Sequence, residues 1–544
     1  MSKIKIFSMG GLNENGKNTY IVEVDNKIFI LDAGLKYATD SMYGIDYILP
    51  NYDYLEKNKK RIVGVFLTHA HPENMGGVID LARTIPEIKI FCTKYTKKYL
   101  ELEGLDSKRI TEIAPHKKIS FRDVSIFPIT VTHSVPDAVM YVINTKDGAI
   151  CYTGDFIIDP SMGDYYHMDL GKVAYIGKQG VLCLLSESVF SEVSGHTSPK
   201  HKLSPYFKDL INKTTGRMIF TVLPIHLYTI QEIFDAAKNS HRKIVVMGKK
   251  LQSVINMAIE NNYLKVDPRI IGDLTHIENN NSILLVCDDK EHPYSAIDKI
   301  VSGYDKFIKL KKEDTVVFAE PKYDENEKIL VRIENEIARL GANIASIPKE
   351  KEILHHASSE DLMLMIDLLK PKYYMPVKGD YRYMVNNADL ATSLGIKPEN
   401  IILKQNGEVI TIKDGKLIDN HETVAVNEIL IDGNSNDDVG ELVIKDREML
   451  GENGIVLVSA TLSKQTKKIL VGPEIITRGF IYVKDSKEMI EEIKKISLNI
   501  IENNINDNYV DYNNIKLEIR EHLSKYFYSE TECKPMIIAV IQEV

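Results

Sequence analysis

The chain has 544 residues, 44% of them hydrophobic, which is more than one core usually organises, so two or three domains are expected. A formal net charge of -9 and a pI of about 6.0 exclude a whole-molecule attraction to polyanions, so any nucleic-acid contact must be local. Five scattered cysteines without a C-x-x-C pair, and no apolar run near the roughly 20 residues that span a bilayer, exclude a disulfide frame, a cysteine zinc site and a membrane span; a cytoplasmic protein with buried reduced thiols is expected.

In chain order, KIKIF, TYIVEV and DNKIFILDAG alternate with turns and predict a β-meander. Between them, Gly11-Leu-Asn-Glu-Asn-Gly-Lys17 mimics a phosphate-binding loop, but Asn18 stands where Ser or Thr is required and a strand follows where a helix is needed. RIVGVFLT (61–68) reads as a buried strand, and HAHPEN leads into the short helix GGVIDLARTI. His69 and His71 therefore sit at a strand's C-terminal end, a common place for α/β sites.

Strand-like runs also precede His133 in VTHSVPD and Asp155 in ICYTGDF. From about 204 to 349, MIFTVL, IQEIFDAAKN, KIVVMG, LQSVINMAIENN and SILLVC predict an inserted α/β domain with a parallel sheet. The helix SSEDLMLMIDLLK and the strand PKYYMPV return to the first domain, and IDGNSNDDVG (431–440) reads as a linker. The tail from about 450 predicts a small α+β domain with one helix starting at Asp485 or Ser486. Basic clusters at Lys57/Lys59/Lys60/Arg61, Arg242/Lys243 with Lys249/Lys250, Lys309/Lys311/Lys312, and Lys370/Lys372/Lys378 with Arg382 read as solvated surface.

Two histidines at i and i+2 after a strand can aim both imidazoles at one ion, and a zinc site needs at least one more ligand from elsewhere. His133 and Asp155 are the candidates, which gives a four-ligand site of His69, His71, His133 and Asp155.

Together with Asp32 in FILDAG, these strand-end ligands resemble the metallo-β-lactamase fold. GGLNENGKNTYIVEV, GIDYILPNYDYLEKNKKRIVGVFLTHAH, THSVPDAV, YTGDFIID, LLKPKYYMPVKGDYR and ILVGPEIITRGFIYV, in this order along essentially the whole chain, are similar to the ribonuclease J family. The resemblance implies an αββα metallo-β-lactamase sandwich (1–203 and 350–428), an inserted β-CASP domain (204–349), a linker (429–449) and a C-terminal α+β oligomerisation domain (450–544). It implies a zinc-dependent nuclease of bacterial RNA processing, mRNA decay and rRNA maturation that attacks RNA from a 5′ end and internally. Its partners would be RNA and further copies of the chain or of a catalytically intact paralogue.

Where the family reads His-x-His-x-Asp-His, this chain has His69-Ala-His71-Pro-Glu73-Asn74, and Lys378 in PVKGD occupies the position of a late histidine. The resemblance gives His69, His71 and His133 to a first zinc, with Asp155 bridging to a second. All three departures fall on the second. An amide is a poor ligand and an ammonium is a donor-only cation, so one zinc and an empty second site are expected. Lys378 would stand in as a fixed positive charge, and Glu73 keeps a carboxylate displaced by about one methylene.

TVLPIHLYT (221–229) and CDDKEHPYSA (287–296) depart from the family's substrate-contacting loops. ILHHASSEDL keeps His356 and Ala357 of a phosphate-holding motif with His355 in place of glycine, so Glu352, Ile353, Leu354, His355, His356 and Lys378 are the candidate substrate contacts. Glu73 and His356 are the candidate catalytic groups, and Glu187 stands for a family aspartate. The expected function is a ribonuclease J-like protein with weakened or lost activity, resembling the degenerate second paralogue some bacteria keep. The alternatives are a fully active ribonuclease J and, from another class, a small-molecule metallo-β-lactamase hydrolase.

Overall fold

The computed structural model describes residues 2–38, 42, 44–288, 294–319, 327–348, 351, 355–418, 421–433, 440–480, 487–506 and 509–544. The chain folds as two compact units, one of residues 1–37 and 48–428, the other of 38–47 and 429–544.

In the first unit, the meander Lys3–Gly10, Thr19–Val24 and Lys27–Leu31 lies in an eight-stranded sheet, continued in parallel by Ile62–Phe66, Ile90–Cys92 and Ile110–Glu112. A six-stranded sheet faces it, built from Gly148–Tyr152, Val139–Thr145 and neighbours. Side chains alternate across a strand. Accordingly Ile6, Val22, Phe29 and Phe66 of the first sheet meet Ile126, Tyr141, Ile150 and Leu185 of the second in one apolar layer. The opposite faces are covered by helices. Lys94–Leu102 packs Tyr95 and Tyr99 towards Ile30 and Val65, while Leu170–Gln179 and Ser359–Leu369 bring Val173, Ile176, Leu362 and Met365 to Val142 and Leu184.

That layering is an αββα sandwich, and the chain leaves and re-enters it. A third sheet, all parallel, runs Lys243–Met247, Ser282–Val286, Met218–Thr221, Thr315–Phe318, Asn343–Ser346 in spatial order. Both faces of its central strand are buried: Ile219 packs on one side with Ile297, Ile333 and Ile337, and Phe220 on the other with Ile230, Ile233 and Leu251. A largely apolar run such as MIFTVL suits a strand covered on both faces. Tyr373–Val377 then pairs in parallel with Val181–Glu187, and Ile410–Lys413 pairs with the first strand.

In the second unit, Ile455–Leu462 lies between Ile469–Arg478 and Met536–Glu543. Its buried alternate residues Val456, Val458, Ala460 and Leu462 pack on Ile493, Ile500, Ile515, Ile519 and Leu523 of helices Lys487–Asn503 and Tyr512–Thr531. The helix read as starting at Asp485 or Ser486 begins, among the described residues, at Lys487. The stretch 429–449 read as linker is not wholly irregular: Glu441–Asn453 is a helix, and 434–439 lie outside the described residues. No helix among the described residues is long and apolar enough to cross a membrane.

Candidate metal centre

His69 and His71 leave the end of Ile62–Phe66 on a loop pinned by Asp32. The Asp32 carboxylate accepts from Thr68 N (2.7 Å), Thr68 Oγ1 (2.9 Å), Tyr152 OH (2.7 Å) and Asn74 Nδ2 (2.7 Å). Burial pushes its pKa up to about 7, with those donors pulling the other way. Gly34 permits the crossing of the two loops, since a Cβ there would stand 1.7 Å from the Glu73 carbonyl.

His69, His71 and His133 form a near-regular triangle, with each pair of ring centroids 4.7 Å apart. Each ring's outer nitrogen is held. His69 Nδ1 is 2.9 Å from Thr68 Oγ1, whose own proton goes to Asp32. His133 Nδ1 donates to the His355 carbonyl (2.7 Å), and His71 Nε2 donates to the Ile225 carbonyl (3.1 Å) with Ser134 Oγ at 3.0 Å. These bonds fix the tautomers.

The lone pairs of His69 Nε2, His71 Nδ1 and His133 Nε2 are thereby left free, and these atoms and an Asp155 oxygen all lie within 4.8 Å of one another. His133 Nε2 is 3.3 Å from His71 Nδ1, and Asp155 Oδ2 is 3.4 Å from His69 Nε2 and 3.9 Å from His133 Nε2. Ligand atoms about 2.1 Å from a tetrahedral zinc stand roughly 3.4 Å apart. Among the described residues, buried His69 Nε2 and Asp155 Oδ1 have no hydrogen-bond partner. Burial lowers the pKa of His69 to about 4 and holds that of His133 well below its ordinary value, which favours the neutral, lone-pair-bearing form of both rings. The four residues fit a metal ion.

The residues read as a second set do not. Asn74 is fully buried with both ends of its amide engaged: Nδ2 donates to Asp32 and Oδ1 accepts from Asn18 Nδ2 at 3.3 Å. Lys378, 2% exposed, sets its ammonium directly against Asp155 Oδ2 and 3.7 Å from Glu73 Oε1. Burial acts to lower the Lys378 pKa, but Asp155 and Glu73 outweigh it and hold the lysine above its ordinary value. Burial would raise Asp155 and Glu73, and both are held well below the carboxylate range, Asp155 by Lys378 and His356, Glu73 by Lys378 and His71.

His356 Nδ1 is 2.6 Å from Glu187 Oε2, and Glu187 Oε1 accepts from Phe156 N (2.7 Å). Asp155, Glu187 and His356 also gather their donor atoms closely, with His356 Nδ1 and Glu187 Oε2 hydrogen-bonded to each other. Burial acts to lower the His356 pKa, but Glu187 and Asp155 more than reverse this and hold it above its ordinary value. His355 enters through its backbone; its ring is buried beside His201 (4.9 Å) and Tyr228 (5.4 Å). Glu352, Ile353 and Leu354 lie outside the described residues.

Sequence reasoning missed Thr68, Ser134 and the Ile225 carbonyl, which orient the ligand rings, and His226, whose ring stacks on His71 at 5.7 Å. The only signal for His226 was its place in TVLPIHLYT, a stretch read as a lost substrate loop.

An αββα sandwich with this strand-end cluster and a β-CASP insertion defines a metallo-β-lactamase-type protein. Family models agree along the chain: a beta-lactamase superfamily domain over residues 32–171, the ribonuclease J beta-CASP domain over 215–337, and the ribonuclease J C-terminal domain over 442–544. Ribonuclease J 2 of Staphylococcus aureus (strain MRSA252) is 34% identical over 553 residues, 99% of this chain and 98% of that protein. Ribonuclease J 2 of Streptococcus pyogenes serotype M3 is 33% identical over 562 residues, the full length of both. The chain belongs to the ribonuclease J family. A crystal structure of a protein of unknown function from Enterococcus faecalis V583 shares the fold, with a TM-score of 0.52 and 15% identity over 75% of this chain and 100% of that one.

Proposed function

We propose that this chain is an RNA-processing ribonuclease J with one zinc site and weak or no hydrolytic activity of its own. It would act in the cytoplasm as a homo-oligomer or beside a catalytically intact paralogue. The carrying observation is the Lys378 ammonium lodged between Asp155 and Glu73, where the second ion's ligands would converge.

His69, His71, His133 and Asp155 would hold the zinc, which supplies Lewis acidity and makes water a better nucleophile when bound. Around it, the chain's own groups would handle phosphate charge: His356, hydrogen-bonded to Glu187 and held above its ordinary pKa by it, would be the donor to phosphate, and Glu73 is a carboxylate within 3.5 Å of His71 Nδ1. In two-metal hydrolysis both ions stabilise the attacked phosphate. Lys378 leaves little room for such help, because its charge is already spent on two carboxylates.

A fully active enzyme is the second reading, and the intact His356–Glu187 pair is what favours it. Family membership sets aside the small-molecule hydrolase. Metal content by mass spectrometry, with decay of a 5′-monophosphorylated RNA, separates the two. About one zinc per chain, lost in His71→Ala, and slow or no decay are expected. Two zinc ions and rapid decay abolished by His71→Ala would establish the active enzyme. Reciprocally, Glu73→Asp, Asn74→His and Lys378→His combined should raise both metal content and rate, since a histidine at 74 can donate to Asp32 through one nitrogen and ligate through the other.

A further inference from the structure

The chain is acidic overall, yet one loop of the inserted domain gathers exposed aromatic rings and uncompensated lysines. Tyr304 is 83% exposed and Phe307 60% exposed, three residues apart in GYDKFIKLKKE (303–313). Lys299, Lys306, Lys309 and Lys312 are exposed around them, and none of the four is in an ion pair among the described residues; Lys309 Nζ reaches only the Gly303 carbonyl, at 3.4 Å. Lys311, by contrast, is paired with Glu278 (2.5 Å). Scattered exposed apolar side chains need no explanation, but two aromatic rings on one braced loop among free cations do.

The loop is built rather than loose. Asp305 Oδ1 accepts from Phe307 N (2.8 Å) and Ile308 N (2.7 Å), and Tyr304 N and Asp305 N both donate to the Lys299 carbonyl. Ile308 anchors it in the core. Behind it, fully buried Arg217 donates from Nη2 to the Lys309 carbonyl (2.7 Å) while Nε and Nη2 clasp Asp314 (3.0 and 2.6 Å). These bonds hold the backbone, so the rings stand out to solvent at little further ordering cost.

Arg217 precedes the strand Met218–Thr221, whose far end leads to the Ile225 carbonyl bonded to His71. The aromatic loop thus lies at the opposite end of the parallel sheet from the metal centre. We infer that Tyr304 and Phe307, with Lys299, Lys306, Lys309 and Lys312, form a stacking surface for single-stranded RNA separate from the metal centre. Bases stack on aromatic rings regardless of sequence, and lysines track the phosphates. Fixed positive charge on an acidic molecule selects an anionic polymer. The inference rests on the RNA reading of the family.

Its test is fluorescence anisotropy of a labelled, phosphorothioate-linked single-stranded RNA of roughly 20 nucleotides, titrated with the full chain. Tyr304→Ala/Phe307→Ala should weaken binding at least about 10-fold, the loss of roughly one stacked base. Lys306→Ala/Lys309→Ala should reduce the slope of log affinity against log salt by about 1.4, at roughly 0.7 per single-strand phosphate. Tyr175→Ala, which removes a ring 60% exposed on another face of the fold, should change nothing. If the parent chain binds this RNA and the aromatic and lysine variants match it, the surface is not an RNA site. A change in self-association by sedimentation with RNA affinity intact would reassign it to protein contact and overturn the inference. If the parent binds no RNA at all, the RNA reading itself falls.

Discussion

Lys378 is a non-glycine residue in left-handed backbone, with φ 57, and its side chain is enclosed by two carboxylates. Neither condition is favourable alone: the left-handed conformation costs roughly 1–2 kcal/mol, and a buried ammonium survives only with its partners. Removing one partner of a buried ion pair typically costs about 3–5 kcal/mol, because the other charge is stranded. Lys378→Met should therefore lower the melting temperature of the chelator-treated chain by several degrees, and Lys378→Arg should lower it less; an unchanged melt of Lys378→Met would show that the ammonium is not what balances Asp155 and Glu73. Excess zinc should recover part of the Lys378→Met loss, since a cation at the vacated place restores the balance. At this scale the sequence was half legible. His69, His71, His133 and Asp155 announce themselves by residue type at strand ends. Asn74 reads as a ligand lost, whereas in the fold it is a bridge between Asn18 and Asp32, a role no motif carries.

Elements were the most legible level, because periodicity and burial come from the same geometry. MIFTVL is apolar but for Thr221, and its first four residues become a strand covered on both faces; the alternation in GIVLVSATL becomes a strand with one buried face. What periodicity cannot supply is the contribution of one element to another's side chain, as when the turn after Met218–Thr221 holds His71 by a carbonyl. Glu232, on the helix Leu227–Ala237, is a similar case. Its Oε1 accepts from Leu203 N and Ser204 N (both 2.9 Å), tying the start of helix Ser204–Lys213 to its neighbour, while Oε2 has no hydrogen-bond partner among the described residues. Burial pushes its pKa up to about 7. An acid raised in the folded state holds a proton that the unfolded chain releases, so stability falls as pH rises from about 4.5 to about 7 and the loss is complete above that. The stability of this unit should decline from pH 5.5 to pH 8, with Asp32, also raised to about 7, contributing in the same direction, and Glu232→Gln should make the decline shallower while keeping the acceptor oxygen. Thermal melts at the two pH values check this: equal slopes in parent and variant would mean that Glu232 does not titrate in this window.

At the scale of the whole chain, the order of segments was readable but their grouping was not, since residues 38–47 join the C-terminal unit from deep within the N-terminal sequence. Local propensity says nothing about which core a ten-residue excursion will join. The two units have separate cores, that of the second being the cluster around Val456, Val458, Ile493, Ile519 and Phe527. All four candidate ligands belong to the first. Chains with separate cores commonly unfold in more than one step. A metal that binds only the native first unit stabilises only that unit, by about 2.7 kcal/mol when free metal is 100 times its dissociation constant. Scanning calorimetry should accordingly resolve two transitions, and adding zinc to the chelator-treated chain should raise one and leave the other in place. His133→Ala should abolish the zinc shift while leaving the unmoved transition where it was. A single transition displaced as a whole by zinc would instead mean that the units unfold as one, and that the metal centre stabilises the C-terminal core as well as its own.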